Sequence, residues 1–204
     1  MESVLLHSCC APCSVYCVDT LRAEGIEPVS LWYNPNIHPY QEYKARRDTL
    51  LAYGESIGLT VRVLDDYGLR RFVRAVADDI DHRCAVCYAM RLGAAARYAA
   101  DHGFAAFTSS LLISPYQNHA LLRETGEAAA KQYGIEFLYR DFRPGFRQGQ
   151  AKARELGLYM QKYCGCVFSE EDRYAKQISR DRERFGSEEP TLFQILRTET
   201  SAYL

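Results

Sequence analysis

The chain has 204 residues, 48% of them hydrophobic, which is enough for one domain with a real core and too apolar for global disorder. A net charge of −1 excludes a globally basic nucleic-acid binder, though not a local basic patch. No apolar run approaches the roughly 18 residues of a membrane-spanning helix. The start, Met1-Glu2-Ser3-Val4-Leu5-Leu6, has an acid where an export signal wants a base, so the expected compartment is the cytoplasm, with no membrane partner.

In chain order, 3–7 reads as a buried strand and 14–24 as a helix stopped by Gly25. A second strand over 29–33 runs into the turn signal Asn34-Pro35-Asn36. A helix over 40–57 ends at Gly58, and a strand follows over 59–64. The rhythm returns with a strand over 105–108, a helix over 118–132 and a strand over 135–139. Two stretches break it. Residues 69–100 look helical but interrupted over 78–84, and 148–204 looks helical and highly charged. The expectation is an α/β fold: an open, mainly parallel sheet with helices on both faces. Residues 1–168 are read as the main domain and 169–204 as a charged helical C-terminal extension.

Open parallel sheets bind ligands beyond the carboxyl ends of their strands. The loops that leave those ends carry Cys9-Cys10; Asn34, Asn36 and His38; Tyr116 and Gln117; and Asp141 and Arg143. The unusual polar and thiol residues therefore gather on one edge.

Eight cysteines in a chain without an export signal point to metal or redox chemistry rather than disulfides. Six of them form three close pairs, Cys9-Cys10, Cys84-x-x-Cys87 and Cys164-x-Cys166. Four thiolates satisfy a [4Fe–4S] cluster or a structural zinc, and six exceed both. Adjacent cysteines such as Cys9 and Cys10 diverge on an extended backbone, which suits them to two neighbouring centres. Six thiolates then divide as four for a cluster and two for a separate ion, with a carboxylate as its third ligand. Asp141 is the candidate, with Asp65, Asp66 and Asp81 as rivals; its plain alternative is a cap or a partner for Arg143. Cys17 reads as a small core hydrophobe. Cys13 is open, since Cys10-Ala11-Pro12-Cys13 also matches a redox pair at a helix N-terminus. His7 reads as a satisfied core histidine.

The ordered motifs are Leu6-His7-Ser8-Cys9-Cys10-Ala11-Pro12-Cys13, Tyr33-Asn34-Pro35-Asn36-Ile37-His38-Pro39, Arg83-Cys84-x-x-Cys87-Tyr88-x-x-Arg91-Leu92, Ser114-Pro115-Tyr116-Gln117, Asp141-Phe142-Arg143 and Tyr163-Cys164-Gly165-Cys166. Together they resemble the cobalamin-independent epoxyqueuosine reductase family (QueH) over residues 4–169. The resemblance implies a fold of the HUP or PP-loop type. It also implies reduction of the epoxide of epoxyqueuosine at the tRNA wobble position, by a [4Fe–4S] cluster beside a mononuclear iron held by two cysteines and an aspartate. On that basis Cys10, Cys84, Cys87 and Cys164 are assigned to the cluster, and Cys9, Cys166 and Asp141 to the iron and catalysis. Asn34, Asn36, His38, Tyr116, Gln117 and Arg143 are assigned to substrate.

The implied partners are a tRNA with a queuosine-type wobble base and a low-potential electron donor of unknown identity. Candidate stacking rings are Tyr33, Tyr40, Tyr43, Tyr116 and Phe142. Candidate phosphate contacts are Lys44, Arg46 and Arg47; Arg70, Arg71 and Arg74; and Arg140, Arg143 and Arg147. The competing readings are an ATP-using tRNA thiolation enzyme, which the missing glycine-rich loop opposes, and a zinc-stabilised RNA-binding module.

Overall fold

The computed structural model describes residues 3–186. Five strands form one all-parallel sheet in the order β3-β2-β1-β4-β5. They are β1 (Val4–His7), β2 (Pro28–Trp32), β3 (Val61–Val63), β4 (Ala106–Ser109) and β5 (Glu136–Phe137). β1 and β4 are buried along their whole length, as strands covered on both faces should be. The edges are short, three residues in β3 and two in β5, which limits the open hydrogen-bonding row that an edge presents.

The helices are α1 (Ala11–Ala23), α2 (Tyr40–Ser56), α3 (Leu69–Val76), α4 (Arg83–Asp101), α5 (His119–Tyr133), α6 (Phe146–Glu155) and α7 (Val167–Phe185). α1 packs on β2, α2 and α6, while α4 packs on β1, β4 and α5. Crossovers to either side of β1 thus give two helical layers. The central core joins Leu5, Leu6 and Phe107 of the sheet to Leu21 of α1, Leu92 of α4 and Leu122 of α5.

Several boundaries depart from the sequence expectation for identifiable reasons. α1 starts at Ala11 rather than at residue 14, because Pro12 sits in the first turn, where its missing N–H has no partner to lose. The break at 78–84 ends earlier than expected: α4 begins at Arg83, so Cys84 lies in its first turn. Residues 156–166 separate α6 from α7, so 148–185 is not one helix. The rest of the expected helical tail, 187–204, lies outside the described residues.

The chain divides into two compact units, Met1–Val167 and Phe168–Leu204. The first holds the sheet, α1 to α6 and all eight cysteines. The second holds nearly all of α7, which has no buried residue.

Candidate metal centre

β1 delivers the first thiols. After buried His7 the chain stays extended at Cys10 (φ −174°, ψ 163°) and then turns directly into α1. That corner brings Cys13, in the first turn, back beside the adjacent pair. The sulfurs of Cys9, Cys10 and Cys13 lie within 4.8 Å of one another, and all three residues are buried. Cys9 and Cys10 Sγ are 3.8 Å apart. The expected divergence of the adjacent pair does not occur, because the chain bends at Cys9 between the strand and the helix.

Hydrogen bonds polarise this triad. Cys10 and Cys13 hold the Cys9 thiol well below its usual pKa, with help from Ser110, whose Oγ donates to Cys9 Sγ at 3.3 Å. Cys10 is pushed up by burial, and Cys13 by its contacts with Cys10 and Cys9. Gln161 Nε2 also donates to Cys13 Sγ at 3.3 Å. Cys17 is buried one turn further along α1 and donates to the Cys13 carbonyl, the core role expected of it.

The second group comes from α4 and the loop before α7. Cys84 and Cys87 share the first turns of α4. The charges of Cys164 and Cys166 act on both, so the four thiols share one region, though among the described residues only Cys9, Cys10 and Cys13 gather within 4.8 Å. Burial pushes the Cys87 thiol up to about 12 and that of Cys84 in the same direction. Gln117 Nε2 donates to Cys164 Sγ at 3.2 Å, and Tyr88 Oη donates to Gln117 Oε1 at 2.6 Å, which fixes the amide. Arg91 Nη2 donates to Cys87 Sγ at 2.9 Å.

A buried clamp sets the Cys164-Gly165-Cys166 loop. Arg46 donates to the carbonyls of Cys164 (2.8 Å) and Tyr163 (3.0 Å) and is ion-paired to Glu42 at 2.6 Å. Tyr159 Oη donates to the other Glu42 oxygen. The His38 N–H donates to the Gly165 carbonyl at 2.8 Å, and Tyr163 Oη to the His38 carbonyl. Gly165 has φ +150°, and a Cβ there would lie 3.1 Å from Ile37 Cγ1 and 3.4 Å from Arg46 Nη1. Glycine is therefore required where the loop meets the clamp.

The predicted substrate residues divide. Asn34 is buried and donates to the Ser8 carbonyl at 2.9 Å, so it buttresses the first thiol loop. Asn36 is buried with an unpartnered Oδ1. His38 is buried against Tyr67 and Phe72; its ring nitrogens have no partner beyond a weak approach to the Pro35 backbone. Burial lowers its pKa to about 4, so the ring is neutral near pH 7. Tyr116, beside Gln117, is 85% exposed and meets Phe146 edge-on. Asp141 is bidentate to Arg143 (2.7 and 2.6 Å) and also accepts the Arg143 N–H. Arg143 holds its carboxyl below the usual range, and the other charge acting on it is His119. Asp65 is bound by Tyr43 and Arg47, and Asp66 by Arg71.

Two further expectations need correction. Arg46 cannot meet a phosphate, because its guanidinium is buried in the clamp. Tyr43 and Phe142 are buried and so are not stacking surfaces, whereas Tyr40 and Tyr116 are exposed. His7 is the satisfied core histidine expected: Nε2 donates to the Tyr33 carbonyl, which leaves Nδ1 to accept from Ser109 Oγ at 2.9 Å.

Comparison with known proteins decides the family. Residues 4–172 match the family described as Epoxyqueuosine reductase QueH. The chain belongs to the QueH family. Relatives named epoxyqueuosine reductase QueH include one from Dehalococcoides mccartyi, 39% identical over 86% of this chain and 97% of its own. Another, from Thermotoga maritima, is 34% identical over 90% and 98%, and one from Haemophilus influenzae is 34% identical over 91% and 79%. The QueH match contains all eight cysteines and stops within α7. Among the described residues no helix is long and apolar enough to cross a membrane.

The seven thiols other than Cys17 fit a metal-sulfur centre by their chemistry. They are soft donors, five of the seven buried, and the buried Arg91 guanidinium touches one of them, Cys87. The burial of Arg46, read from the sequence as a phosphate contact, and of Arg91, part of the Cys84-x-x-Cys87 motif, is not legible in the sequence, because a surface arginine and a buried one look alike there. The usable signal for Arg91 is its position four residues after Cys87, on the same helix face.

Proposed function

We propose that this chain reduces the epoxide of epoxyqueuosine at the tRNA wobble position to the alkene of queuosine. The reaction takes two electrons and two protons and releases the oxygen as water. The observation that carries the reading is the buried Cys9-Cys10-Cys13 triad, with its sulfurs within 4.8 Å of one another, in a member of this family whose other thiol pairs include Cys87 in contact with buried Arg91. Seven sulfurs exceed the ligand demand of a single tetrahedral ion or a single cluster. A [4Fe–4S] cluster with four thiolates beside a mononuclear iron with two thiolates and a carboxylate uses six of the seven; when bound, these centres would supply single electrons and a Lewis acid for the epoxide oxygen.

The assignment of Cys10, Cys84, Cys87 and Cys164 to the cluster, with Cys9, Cys166 and Asp141 at the iron, is part of this proposal. The sulfur grouping adds Cys13, which lies with Cys9 and Cys10 while Asp141 is engaged by Arg143. Asp141 enters the set only by release from Arg143.

The chain's own residues do the rest. The Arg46 clamp and the Tyr88–Gln117 pair hold Cys164 in place. Exposed Tyr116 offers a face on which a splayed anticodon base stacks, beside the residue that touches Cys164. Neutral His38 and Asn36 carry unpartnered polar atoms in the loop that supports Gly165, and these suit the polar cyclopentane ring of the substrate. Electrons come from a low-potential donor. An anaerobic reaction of the reduced protein with epoxyqueuosine-containing tRNA, followed by nucleoside analysis, tests the proposal. Queuosine appears if it holds, and unchanged epoxyqueuosine with a fully loaded protein refutes it.

A further inference from the structure

Two arginines of the first unit are fully buried, each 1% exposed, and their charges are matched differently. Arg46 faces the Glu42 carboxylate at 2.6 Å. Arg91 contacts no carboxylate among the described residues. Its nearest acceptor is Cys87 Sγ at 2.9 Å; the Cys87 carbonyl at 3.4 Å and Asn34 Oδ1 at 3.5 Å lie at the limit of hydrogen bonding. A guanidinium does not lose its proton inside a protein, so this charge is permanent. A buried charge without a partner is strongly unfavourable. The missing anion must therefore be sulfur.

The surroundings agree. Arg91 touches Cys87 of the second thiol group and approaches Asn34, which binds the carbonyl of Ser8 next to Cys9 of the first, and the charges of Cys87, Cys164 and Cys9 bear on it. Its place is built in: the four-residue step from Cys87 stacks the two side chains on one face of α4. Asn34, which approaches Arg91 with its oxygen, binds the Ser8 carbonyl with its amide. The same side chain thereby links the guanidinium to the loop of the first thiols.

We propose that Arg91 is the resident counter-charge of the thiolate site, a positioning residue that stabilises sulfur anions in the core and eases electron uptake there. The inference rests on the reading of these thiols as metal ligands. A fixed positive charge beside an electron acceptor favours its reduced form, and low local dielectric strengthens the effect. It also opposes loss of metal from thiolates. Arg46, matched by Glu42, does neither to the same degree.

The test uses the full chain, prepared anaerobically as wild type, Arg91→Lys and Arg91→Met. A redox titration reads the midpoint potential of the bound iron, and a chelator challenge reads the rate of metal loss. Arg91→Met is expected to shift the reduction equilibrium at least tenfold toward the oxidised form, which is 59 mV for a one-electron step. Metal loss is expected to be at least tenfold faster, and Arg91→Lys to restore most of both. Melting of the metal-free proteins separates this from a packing role. Methionine removes an unmatched charge at similar volume, so metal-free Arg91→Met should melt at or above wild type. An unmoved potential overturns the proposal, as does an Arg91→Met chain that melts lower or fails to fold without metal. If the wild type binds zinc and no iron, the reductase reading fails instead, and zinc loss with metal-free melting judges Arg91.

Discussion

Replacing Arg46 with leucine tests whether a buried ion pair holds the Cys164-Gly165-Cys166 loop in place. The guanidinium is 1% exposed and makes three kinds of contact: the Glu42 carboxylate at 2.6 Å, the Cys164 carbonyl at 2.8 Å and the Tyr163 carbonyl at 3.0 Å. Arg46→Leu leaves Glu42 buried with only Tyr159 as a partner and frees two carbonyls. Breaking a buried pair by removing one member costs about 3–5 kcal/mol. The two carbonyls place the expected loss in the upper half of that range, since an unsatisfied buried acceptor costs about 1–3 kcal/mol. For a chain of this size the drop in melting temperature is roughly 8–20 °C. Urea titration of the reduced, metal-free chain measures the loss directly. Leucine at both Arg46 and Glu42 removes the stranded charge and should recover about 1 kcal/mol or more relative to Arg46→Leu alone. A loss under about 1 kcal/mol for the single variant, or no recovery in the double, would show that the pair is not the clamp described above.

Acid should destabilise the fold through its buried histidines. His7 has a pKa of about 4 in the folded chain against 6.5 when unfolded, and His38 shifts the same way, both chiefly by burial. Between those values the unfolded chain binds a proton that the folded chain does not. Stability is complete above pH 6.5 and falls as pH drops toward 4, by up to about 1.4 kcal/mol per unit for each histidine, or about 3 kcal/mol for His7 alone. Urea midpoints from pH 7 to 4 should follow this slope, and His7→Gln should reduce it; a flat profile would contradict the burial argument. The two spare cysteines of α1 should separate cleanly. Cys13→Ala should lower bound iron, whereas Cys17→Ala should leave iron and sulfide unchanged at a stability loss of about 1 kcal/mol. Equal metal loss in both would remove Cys13 from the ligand set.

The β/α rhythm is readable because its signals are local. Val4-Leu5-Leu6 is an apolar run and Val29-Ser30-Leu31-Trp32 a mostly apolar one of strand length, and Gly25, Gly58 and Gly134 stop helices with positive φ. Pro12 misleads because a helix breaker in the interior is a helix starter in the first turn. The three thiol pairs are legible by spacing alone, whether a pair sits at a strand end, like Cys9 and Cys10, or in the first turns of a helix, like Cys84 and Cys87. Their grouping is not. It depends on the corner at Cys10, which brings Cys13 beside Cys9, and on the packing of α4 against β1, which brings Cys87 and Arg91 to the same edge. Burial of Arg46 and Arg91 is likewise a tertiary fact with no trace in composition. Asp141 shows the opposite case: Arg143 lies two residues away, and this local partner holds the carboxylate.

Counting iron and acid-labile sulfide in the anaerobically purified chain tests the central claim most directly. The proposed cluster with a separate iron predicts about five irons and about four sulfides per chain. Zinc with no sulfide, or about four irons with none in excess, would contradict a two-centre site.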